Sequence, residues 1–486
     1  MINGEDNVLE IATIEGRKAH IRQKSETVSH TPPLACNGES LAGSVSQRAC
    51  VYSGARVVLN PITDALHLVH GPVGCASYTW DIRGSSTSGP TLYKSSFSTD
   101  MKEIDVIFGG EKKLARAIRA LVADYNPPAV FVYSTCIVGV IGDDLQAICT
   151  SASQELKIPV IPVWSEGFRG NKNEGYKAAC NALLELIGTR NYTPKRRFTV
   201  CLLGEYNVAG DLWPVKSYFE EMGVEVVASL TGDATVEDVQ RAHCSGLNLV
   251  QCSGSMEFLA KKLKEKYGTP YKRVSFFGLR AMASALMATA AFYQEPSITE
   301  RAQEIIKREM SRVLPEIERY RRHIRGKKAA IYMGGAAKAV SLVNAFKELG
   351  LQVVIIGTQT GKRDDYEKIN SIVKDGTVII DDANPLELRD LLIRQKADLL
   401  VSGVKERYLA YKLRVAFCDF NHDRTKTFEG FTGMINFARE LHTSINSPVW
   451  KLPVQREHYT IPPECDGERS GDSQRGDACV DNLCDD

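Results

Sequence analysis

The 486-residue sequence has no CxxC pair, although it contains 13 cysteines. Without such pairs, neither a zinc ribbon nor a dithiol redox motif is indicated. The sequence also lacks an apolar run of the roughly 18 residues that a membrane-spanning helix needs, and its first residues lack the apolar core of a secretory signal. A formal net charge of only +1 gives no electrostatic footprint for nucleic acid. These absences predict a cytoplasmic protein without a membrane or nucleic-acid partner.

The two ends differ in composition from the middle of the chain. Residues 1–45 are polar and predict an N-terminal extension with little core of its own. Residues 455–486 are acidic, rich in glycine and serine and without apolar periodicity, which predicts a disordered tail. That tail contains Cys465, Cys479 and Cys484, whose role the sequence leaves open.

Between these ends, one pattern occurs three times: an apolar strand, a loop of small residues, an amphipathic helix and another apolar strand. The copies begin at "PAVFVYSTCIVG", "RFTVCLLGEYNVAG" and "KKAAIYMGGAAK". Continuous apolar strands alternating with helices indicate buried parallel sheets. We therefore predict an α/β fold of three doubly wound, Rossmann-like parallel-sheet domains, spanning 46–195, 196–328 and 329–454. Ligands bind beyond the carboxyl ends of such strands, so three facing domains would enclose a central cofactor cavity.

The loops after the first strand of each copy match neither the P-loop nor the dinucleotide-binding glycine fingerprint, so nucleotide binding has little support. Instead, the first copy and the segment before it hold Cys50, Cys75 and Cys136 in loops or at strand edges. Iron–sulfur clusters are bound by thiolates, so these residues are candidate metal ligands. Three thiolates leave a cubane cluster one ligand short, and a partner subunit would supply the fourth. The alternative is that each cysteine is a small buried apolar residue.

Cys252 ends an apolar strand and opens a helix in "LNLVQCSGSMEFLAKK". The positive end of a helix dipole stabilises a thiolate, which suits a metal ligand or a nucleophile. No histidine is tied to Cys252 by a local motif, so the nucleophile has less support. A cysteine that merely packs at the strand end is the alternative.

Long segments of the chain resemble the nitrogenase component 1 superfamily. They include "SLAGSVSQRACVYSGARVVLNPITDALHLVHGPVGCASYTWDIRG", "FVYSTCIVGVIGDDL", "IPVIPVWSEGFRGNKNEGYKAACNAL", "GEYNVAGDLWPV", "SGVKERYLAYKL" and "DFNHDRTKTFEGFTGMINFARELHTSINSPVW". The resemblance covers roughly residues 40–450. Within the superfamily, these segments are most similar to the alpha-type subunits on which the iron–molybdenum cofactor is assembled.

The resemblance implies a role for each candidate cysteine. Cys50, Cys75 and Cys136 match the cysteines that hold an interfacial iron–sulfur cluster, [4Fe–4S] or larger, shared with a beta-type subunit. Cys252 matches the cysteine that anchors one end of the large cofactor or its precursor. Arg83 and Lys405 match cavity residues that would offset the negative charge of that cofactor. An interdomain salt bridge is the alternative for these two cations.

Departures from the family pattern bear on function. In catalytic members a histidine holds the molybdenum end of the cofactor, and that place falls near Phe420 or Asn421, with His422 adjacent but out of register. The nearest residue to the substrate-handling histidine is Tyr176, and the basic residue after "GG" is displaced to Lys338. A cluster held by one thiolate is easier to release than one held at both ends.

The resemblance therefore implies a scaffold that receives a precursor cluster from a donor protein. The precursor would be matured with molybdenum and homocitrate and then passed to apo-nitrogenase. The expected assembly is an α2β2 heterotetramer on which an ATP-dependent iron protein docks. A catalytic alpha subunit of a nitrogenase-like reductase, such as methylthio-alkane reductase, is the second hypothesis, so whether the chain is an enzyme stays open. A metal-free α/β protein that binds a small ligand is the third.

Overall fold

The computed structural model describes residues 13–25, 34–36, 46, 48–80, 95–421 and 424–452. It divides into a large unit, Met1–Ser447, and a small one, Pro448–Asp486. The described part of the small unit contains a single 3-10 turn, Pro448–Lys451. Arg83, His422 and the tail 455–486 lie outside the described residues. No described helix combines the length and the apolar character needed to cross a bilayer.

In the large unit, a 3-10 helix (Glu15–His20) precedes strand β1 (Ile21–Gln23), which joins the third sheet described below. The first sheet is fully parallel, in the order β3-β2-β4-β5. Its strands are β2 (Leu66–His70), β3 (Ser96–Ser98), β4 (Val130–Ser134) and β5 (Val160–Val163). The accompanying helices are α1 (Val51–Leu59), α2 (Val73–Trp80), α3 (Glu103–Phe108), α4 (Glu111–Tyr125), α5 (Cys136–Ile141), α6 (Leu145–Leu156) and α7 (Lys172–Leu186). Strands β2, β4 and β5 are buried along their whole length, as expected for a sheet covered on both faces.

The second sheet is also parallel, in the order β7-β6-β8-β9. Its strands are β6 (Thr199–Leu203), β7 (Glu225–Leu230), β8 (Leu247–Val250) and β9 (Tyr271–Arg273). The helices are α8 (Leu212–Met222), α9 (Val236–Arg241), α10 (Ser253–Tyr267) and α11 (Leu279–Tyr293). The long helix α12 (Pro296–Ile324) follows and leads to the third sheet.

The third sheet has six strands in the order β1-β12-β11-β10-β13-β14. Its later strands are β10 (Lys328–Met333), β11 (Gln352–Thr358), β12 (Val378–Asp381), β13 (Leu399–Ser402) and β14 (Ala416–Asp419). The helices are α13 (Ala336–Leu349), α14 (Arg363–Ile372), α15 (Pro385–Gln395), α16 (Arg407–Lys412) and α17 (Gly430–Ile445). Only β1 runs antiparallel, against β12. Part of the N-terminal extension thus adds an edge strand to the third sheet, which its polar composition did not indicate.

The α/β fold class predicted from the sequence is confirmed. The described residues form three β-sheets flanked by helices, of which two are parallel and one is mostly parallel. The domain boundaries near 195 and 328 stay predictions, since the chain to Ser447 forms one compact unit.

Two glycines let α1 and α7 pack at very short range. A Cβ added at Gly54 would overlap the carbonyl oxygen of Lys172, and one at Gly175 would overlap the carbonyl oxygen of Val51. In addition, Cys50 forms an isolated antiparallel bridge with Asn171. The start of α7 is therefore held firmly against the residues that precede and begin α1.

Candidate functional site

The three thiols predicted as metal ligands belong to helices of the first sheet rather than to loops: Cys50 caps α1, Cys75 lies inside α2 and Cys136 begins α5. Cys75 follows β2 and Cys136 follows β4, and these two parallel strands are neighbours. Cys50 precedes α1 and lies beside Gly167: a Cβ at Gly167 would be 3.0 Å from the sulfur of Cys136 and 3.8 Å from that of Cys50. The backbone N–H of Gly167 donates a hydrogen bond to the sulfur of Cys136 at 3.2 Å. Such amide donors ease the charge of a ligating thiolate.

Cys75 belongs to the same electrostatic group. Burial raises the pKa of its thiol, and the nearby Cys136 and Cys50 raise it further because like charges repel. Among the described residues, no three His, Cys, Asp or Glu side chains surround a point where a single metal ion could bind. A multi-iron cluster is different, because each thiolate binds its own iron at the edge of the cluster. The three cysteines fit such a cluster and do not fit a mononuclear site.

A buried histidine braces the loops that carry two of these thiols. His70, at the end of β2, lies with Nε2 3.0 Å from Asp143 and Nδ1 3.0 Å from the hydroxyl of Thr99. Asp143, which follows α5, also accepts the backbone N–H of Gly110 at 3.1 Å. Burial lowers the pKa of His70 despite the neighbouring carboxylate. Both ring nitrogens are therefore occupied, and the ring serves as a brace.

Large exposed apolar side chains lie on α2 and α5, which carry two of the thiols, beside Gly167, and on α3. Val140 in α5 is 77% exposed, Phe108 at the end of α3 is 78% exposed, and Phe168 beside Gly167 is 61% exposed. With Val73 and Ile107 they form what we call the apolar rim. A group of large exposed apolar residues is typical of a protein interaction surface.

Cys252 lies apart from this group, at the N-terminus of α10. Its loop packs directly on Gly204 (φ +90°), where a Cβ would come within 2.8 Å of the Cys252 Cβ. Beside it is a cavity of about 230 Å³. The cavity lining comes from segments that follow strands of all three sheets and carries charges of both signs. It consists of Tyr176, Cys252, Ser253, Gly254, Glu257, Lys261, Arg273, Gly335, Ala336, Ala337, Thr360, Lys362, Asp364 and Asp365. The thiol thus lies beside a pocket lined by residues from segments that follow all three sheets, and a central cofactor cavity stays a prediction.

Lys172 interacts electrostatically with Cys252, and Lys338 and Lys405 interact with Lys172. Burial lowers the pKa of Lys172 to about 8, and the charges of Lys405 and Lys338 contribute in the same direction. The thiol of Cys252 opposes this shift. The predicted residues Cys252 and Lys405 are thus both within electrostatic range of Lys172. Lys172 was missed by sequence reasoning, although a basic residue in the first turn of a helix is a detectable anomaly.

Two tyrosines also lie close to Cys252. Burial raises the pKa values of Tyr176 and Tyr206, and the neighbouring thiol raises both further. Both hydroxyls are therefore neutral and able to donate hydrogen bonds. By the family resemblance, Tyr176 is the residue nearest to the histidine of catalytic members.

The predicted residue Asn421 lies near the turn that carries Lys405. A Cβ at Gly403 would be 2.7 Å from the side-chain nitrogen of Asn421, and the Asn421 backbone N–H donates to Asp419 at 2.7 Å. Lys338 lies in the first turn of α13, with its nitrogen 5.9 Å from the centre of the Phe420 ring. The structure thus brings Asn421 next to the Lys405 turn.

Sequence reasoning also missed a buried polar network behind Cys252. The side-chain amide of Gln251 donates to Glu205 at 3.0 Å and to Glu429 at 2.8 Å. It accepts the backbone N–H of Phe276 at 2.9 Å. Burial raises the pKa of Glu205 and of Glu429, and nearby carboxylates add to both shifts. Gln251 directly precedes Cys252, so this network connects the thiol loop to the start of α17.

An ion pair next to this network joins the second sheet to the loop before α17. Arg424 donates to both oxygens of Asp211, at 2.6 and 2.7 Å, and both side chains are almost completely buried. Burial alone would raise the pKa of Asp211, but the charge and hydrogen bonds of Arg424 lower it. The Phe428 backbone N–H also donates to Asp211 at 3.0 Å.

Comparisons with known proteins agree with this geometry. A family model described as "Nitrogenase component 1 type Oxidoreductase" matches residues 50–446. A "Nitrogenase iron-molybdenum cofactor biosynthesis protein NifE" of Methanosarcina barkeri is 58% identical over 456 residues, covering 92% of this chain and 98% of the relative. A protein of the same name from Clostridium pasteurianum is 52% identical, covering 90% and 97%. The solved structure "Nitrogenase Cp1 at pH 5" superimposes with a TM-score of 0.84 at 32% identity, covering 91% and 96%.

Proposed function

The chain belongs to the nitrogenase component 1 type oxidoreductase family, and on that premise we propose that it is the alpha-type subunit of a scaffold for iron–molybdenum cofactor assembly. The cargo is a precursor iron–sulfur cluster, which the scaffold receives, holds during maturation and passes to apo-nitrogenase. Curated relatives at 58% and 52% identity carry the name of a cofactor biosynthesis protein, which supports this choice.

The observation that carries the proposal is the chemistry of the Cys252 cavity. Among the described residues that line the cavity, Cys252 provides the one thiol and no histidine is present. A thiolate is the ligand that soft iron–sulfur clusters prefer. A single tether holds the cargo in place while leaving only one protein–metal bond to break on release.

Cations beside the tether suit a cluster of negative charge. We propose Lys405 and Asn421 as binding residues at the end of the cargo remote from Cys252, where molybdenum and homocitrate would be added. Lys405 supplies positive charge for a carboxylate, and the amide of Asn421 supplies hydrogen-bond donors. Arg83 and His422 are proposed for the same cavity from the family resemblance alone.

We propose that Cys50, Cys75 and Cys136 hold a resident iron–sulfur cluster together with a beta-type, NifN-like subunit. When bound, such a cluster supplies one-electron transfer. This chain contributes three thiolates, the Gly167 N–H that donates to Cys136, and the His70–Asp143 brace that fixes two of the ligand loops. The apolar rim is the surface against which the partner subunit would pack and exclude water.

The proposed assembly is an α2β2 heterotetramer. Its further partners would be a NifB-like donor of the precursor, a NifH-like ATP-dependent iron protein and apo-nitrogenase as the recipient. The second candidate is a catalytic alpha subunit of a nitrogenase-like reductase that retains its cluster. It is favoured by the superposition on a solved nitrogenase chain.

Deletion of the gene in a nitrogen-fixing host separates the two candidates. A scaffold role predicts that the deletion strain accumulates an inactive nitrogenase apoprotein, and that isolated iron–molybdenum cofactor restores its activity in extracts. Normal nitrogen fixation without this protein would contradict the scaffold role. Loss of a different reduction reaction in the same strain would favour the reductase.

A further inference from the structure

Cys50 is held firmly by the part of the chain that follows it. Helix α1, which Cys50 caps, packs on α7 through two glycines, and Cys50 itself forms a bridge with Asn171. On the preceding side, residues 37–45 and 47 lie outside the described chain. Residues 46, 48 and 49 therefore show how the chain is held just before this candidate ligand.

Arg48, two residues before Cys50, binds the third sheet in two directions. Its Nη2 donates to the carboxylate of Asp381 at 2.5 Å, and its Nε donates to the carbonyl oxygen of Gln359 at 2.9 Å. The carboxylate of Asp382 lies 3.7 Å from the same Nε. Asp381 ends β12 and Gln359 follows β11, which are neighbouring parallel strands. Arg48 is thus attached to the carboxyl ends of two strands at once.

These contacts are buried. The side chain of Arg48 is 7% exposed, and those of Asp381 and Asp382 are 0% and 4% exposed. Charge-assisted hydrogen bonds are stronger than neutral ones, and a planar guanidinium bound through two nitrogens is fixed in orientation as well as in position. Ser46 adds to the attachment, since its hydroxyl donates to Asp382 at 2.6 Å and accepts the Arg48 backbone N–H at 3.1 Å.

Cys50 differs from the two other thiols of the first site in what holds it. Cys75 and Cys136 lie in helices that directly follow β2 and β4, so the first sheet itself positions them. Cys50 comes before the first strand of that sheet. Two residues span at most about 7 Å, so the hold on Arg48 restricts Cys50 directly. Cys50 is thus fixed between the third sheet on one side and α7 on the other.

Resting on the function proposed above, we propose that Arg48 is a positioning residue for Cys50, which it holds in place for the resident cluster by binding Asp381 and Gln359. Groups that orient metal ligands from behind matter for the site, and their loss weakens metal binding by about 10–100-fold. The alternative is that Arg48 only attaches the N-terminal segment to the third sheet. Arg22 does so elsewhere, by donating to Asn370 of α14 at 2.9 Å.

The test uses the complete complex with its partner subunit, purified without oxygen and without precursor cluster. Arg48→Gln is compared with Arg22→Gln, the matched control that removes another cation bound to the third sheet. The resident cluster is followed by its electron paramagnetic resonance spectrum and by the rate at which an iron chelator removes it. We expect about tenfold faster removal and an altered spectrum in Arg48→Gln. Arg22→Gln should match the wild type in both.

A second measurement follows the position of Cys50 without a cluster. Amide hydrogen exchange is recorded for the cluster-free complex, and we expect Arg48→Gln to accelerate exchange in the peptide around Cys50 but not in the peptide around Cys136. Equal acceleration in both peptides would overturn the inference, because the effect would then be a general loss of stability. So would a resident cluster in Arg48→Gln with the spectrum and removal rate of the wild type.

Two further arms keep the test decisive. If Arg48→Gln does not assemble, Arg48→Lys replaces it: this variant keeps the charge but not the two-nitrogen fork, so the same changes are expected at smaller size, and wild-type behaviour would overturn the inference. Cys75→Ala is purified in parallel. If it keeps as much iron as the wild type, the proposed resident cluster is refuted, while the exchange around Cys50 still tests whether Arg48 positions this residue.

Discussion

The group of Cys50, Cys75 and Cys136 and the cavity of Cys252 use the same ligand atom in opposite settings. The first has three thiols at one sheet edge, an amide donor and an exposed apolar rim. The second has one thiol beside a pocket, with Lys172 in electrostatic range of the thiol and the buried carboxyl groups of Glu205 and Glu429 behind its loop. Several ligands and a surface to be covered suit a permanent cofactor. A single ligand with a cation nearby suits an anionic cargo that must leave.

Removing one thiol from each site gives the largest expected effect. Cys252→Ala should abolish retention of the precursor cluster while leaving the resident cluster of the first site. Cys75→Ala should do the reverse. Iron analysis and the electron paramagnetic resonance spectrum of the complex, purified without oxygen, report the two losses separately. Cys244→Ala, outside both sites, is the matched control. Equal iron in all variants would contradict the assignment of separate clusters to the two sites.

The second expected effect is on stability near the Cys252 cavity. Asp211→Ala leaves Arg424 buried without its partner, and breaking such a pair costs about 3–5 kcal/mol. The urea midpoint of the isolated chain should fall accordingly. Glu155→Ala removes an exposed carboxylate that pairs with Arg119 and should leave the midpoint nearly unchanged. A similar midpoint for the two variants would contradict the structural importance given to the buried pair.

The third prediction concerns the apolar rim. Phe168→Ser should weaken binding of the beta-type partner by about 2 kcal/mol, as expected for an aromatic residue in an interface core. The same change should leave the stability of the isolated chain almost unaltered, because Phe168 is exposed. Leu386→Ser, which removes a similarly exposed apolar residue from α15, should not affect partner binding. Affinity measured by light-scattering titration or calorimetry would reveal the difference, and equal affinities would argue against the rim as the interface.

The smallest effects concern pH: in both regions stability rises with pH, over an acidic range for one residue and an alkaline range for the other. In β2 of the first sheet, burial and the charge of Arg56 lower the pKa of His67 to about 3. The unfolded chain binds this proton near pH 6.5, so folding stability falls as pH decreases from 6.5 towards 3, by up to about 1.4 kcal/mol per pH unit. The slope of unfolding free energy against pH should be shallower in His67→Gln. An unchanged slope would contradict a neutral, buried His67.

Lys172 should affect folding stability at alkaline pH. Its pKa is about 8 in the folded chain, against an ordinary value of 10.5. Between these values the unfolded chain binds more protons, so the contribution of Lys172 to stability rises with pH. The difference in unfolding temperature between wild type and Lys172→Met should therefore shift in favour of the wild type above pH 8. A difference independent of pH would show that Lys172 is not electrostatically strained.

Much of the first site could be predicted from the sequence, because its parts are local. Cys75 and Cys136 each follow a strand, and parallel strands end at one edge of a sheet. Burial of both faces makes such strands continuous apolar runs, so the three sheets could be recognised as well. The antiparallel edge strand β1 could not, since a three-residue polar segment has no periodicity to detect.

The surroundings of Cys252 were harder to predict because they depend on contacts between distant segments. Gln251 meets Glu429 across 178 positions, and Arg424 meets Asp211 across 213. Nothing local distinguishes these residues from ordinary surface polar residues. Lys172 shows the same limitation. Its lack of a partner among the described residues and its repulsion by Lys338 and Lys405 can be seen only in the folded chain, because the three lysines belong to distant segments.

The sequence by itself determined the α/β class, the family and the identity of four candidate cysteines, because strand periodicity and long motifs are properties of consecutive residues. The tertiary structure alone decided which charges surround each thiol and which of them have partners. Electrostatic interactions depend on distance and burial, and neither is encoded in the local order of residues. The proposed difference between a retained cofactor and a releasable cargo therefore depends on how the three sheets pack.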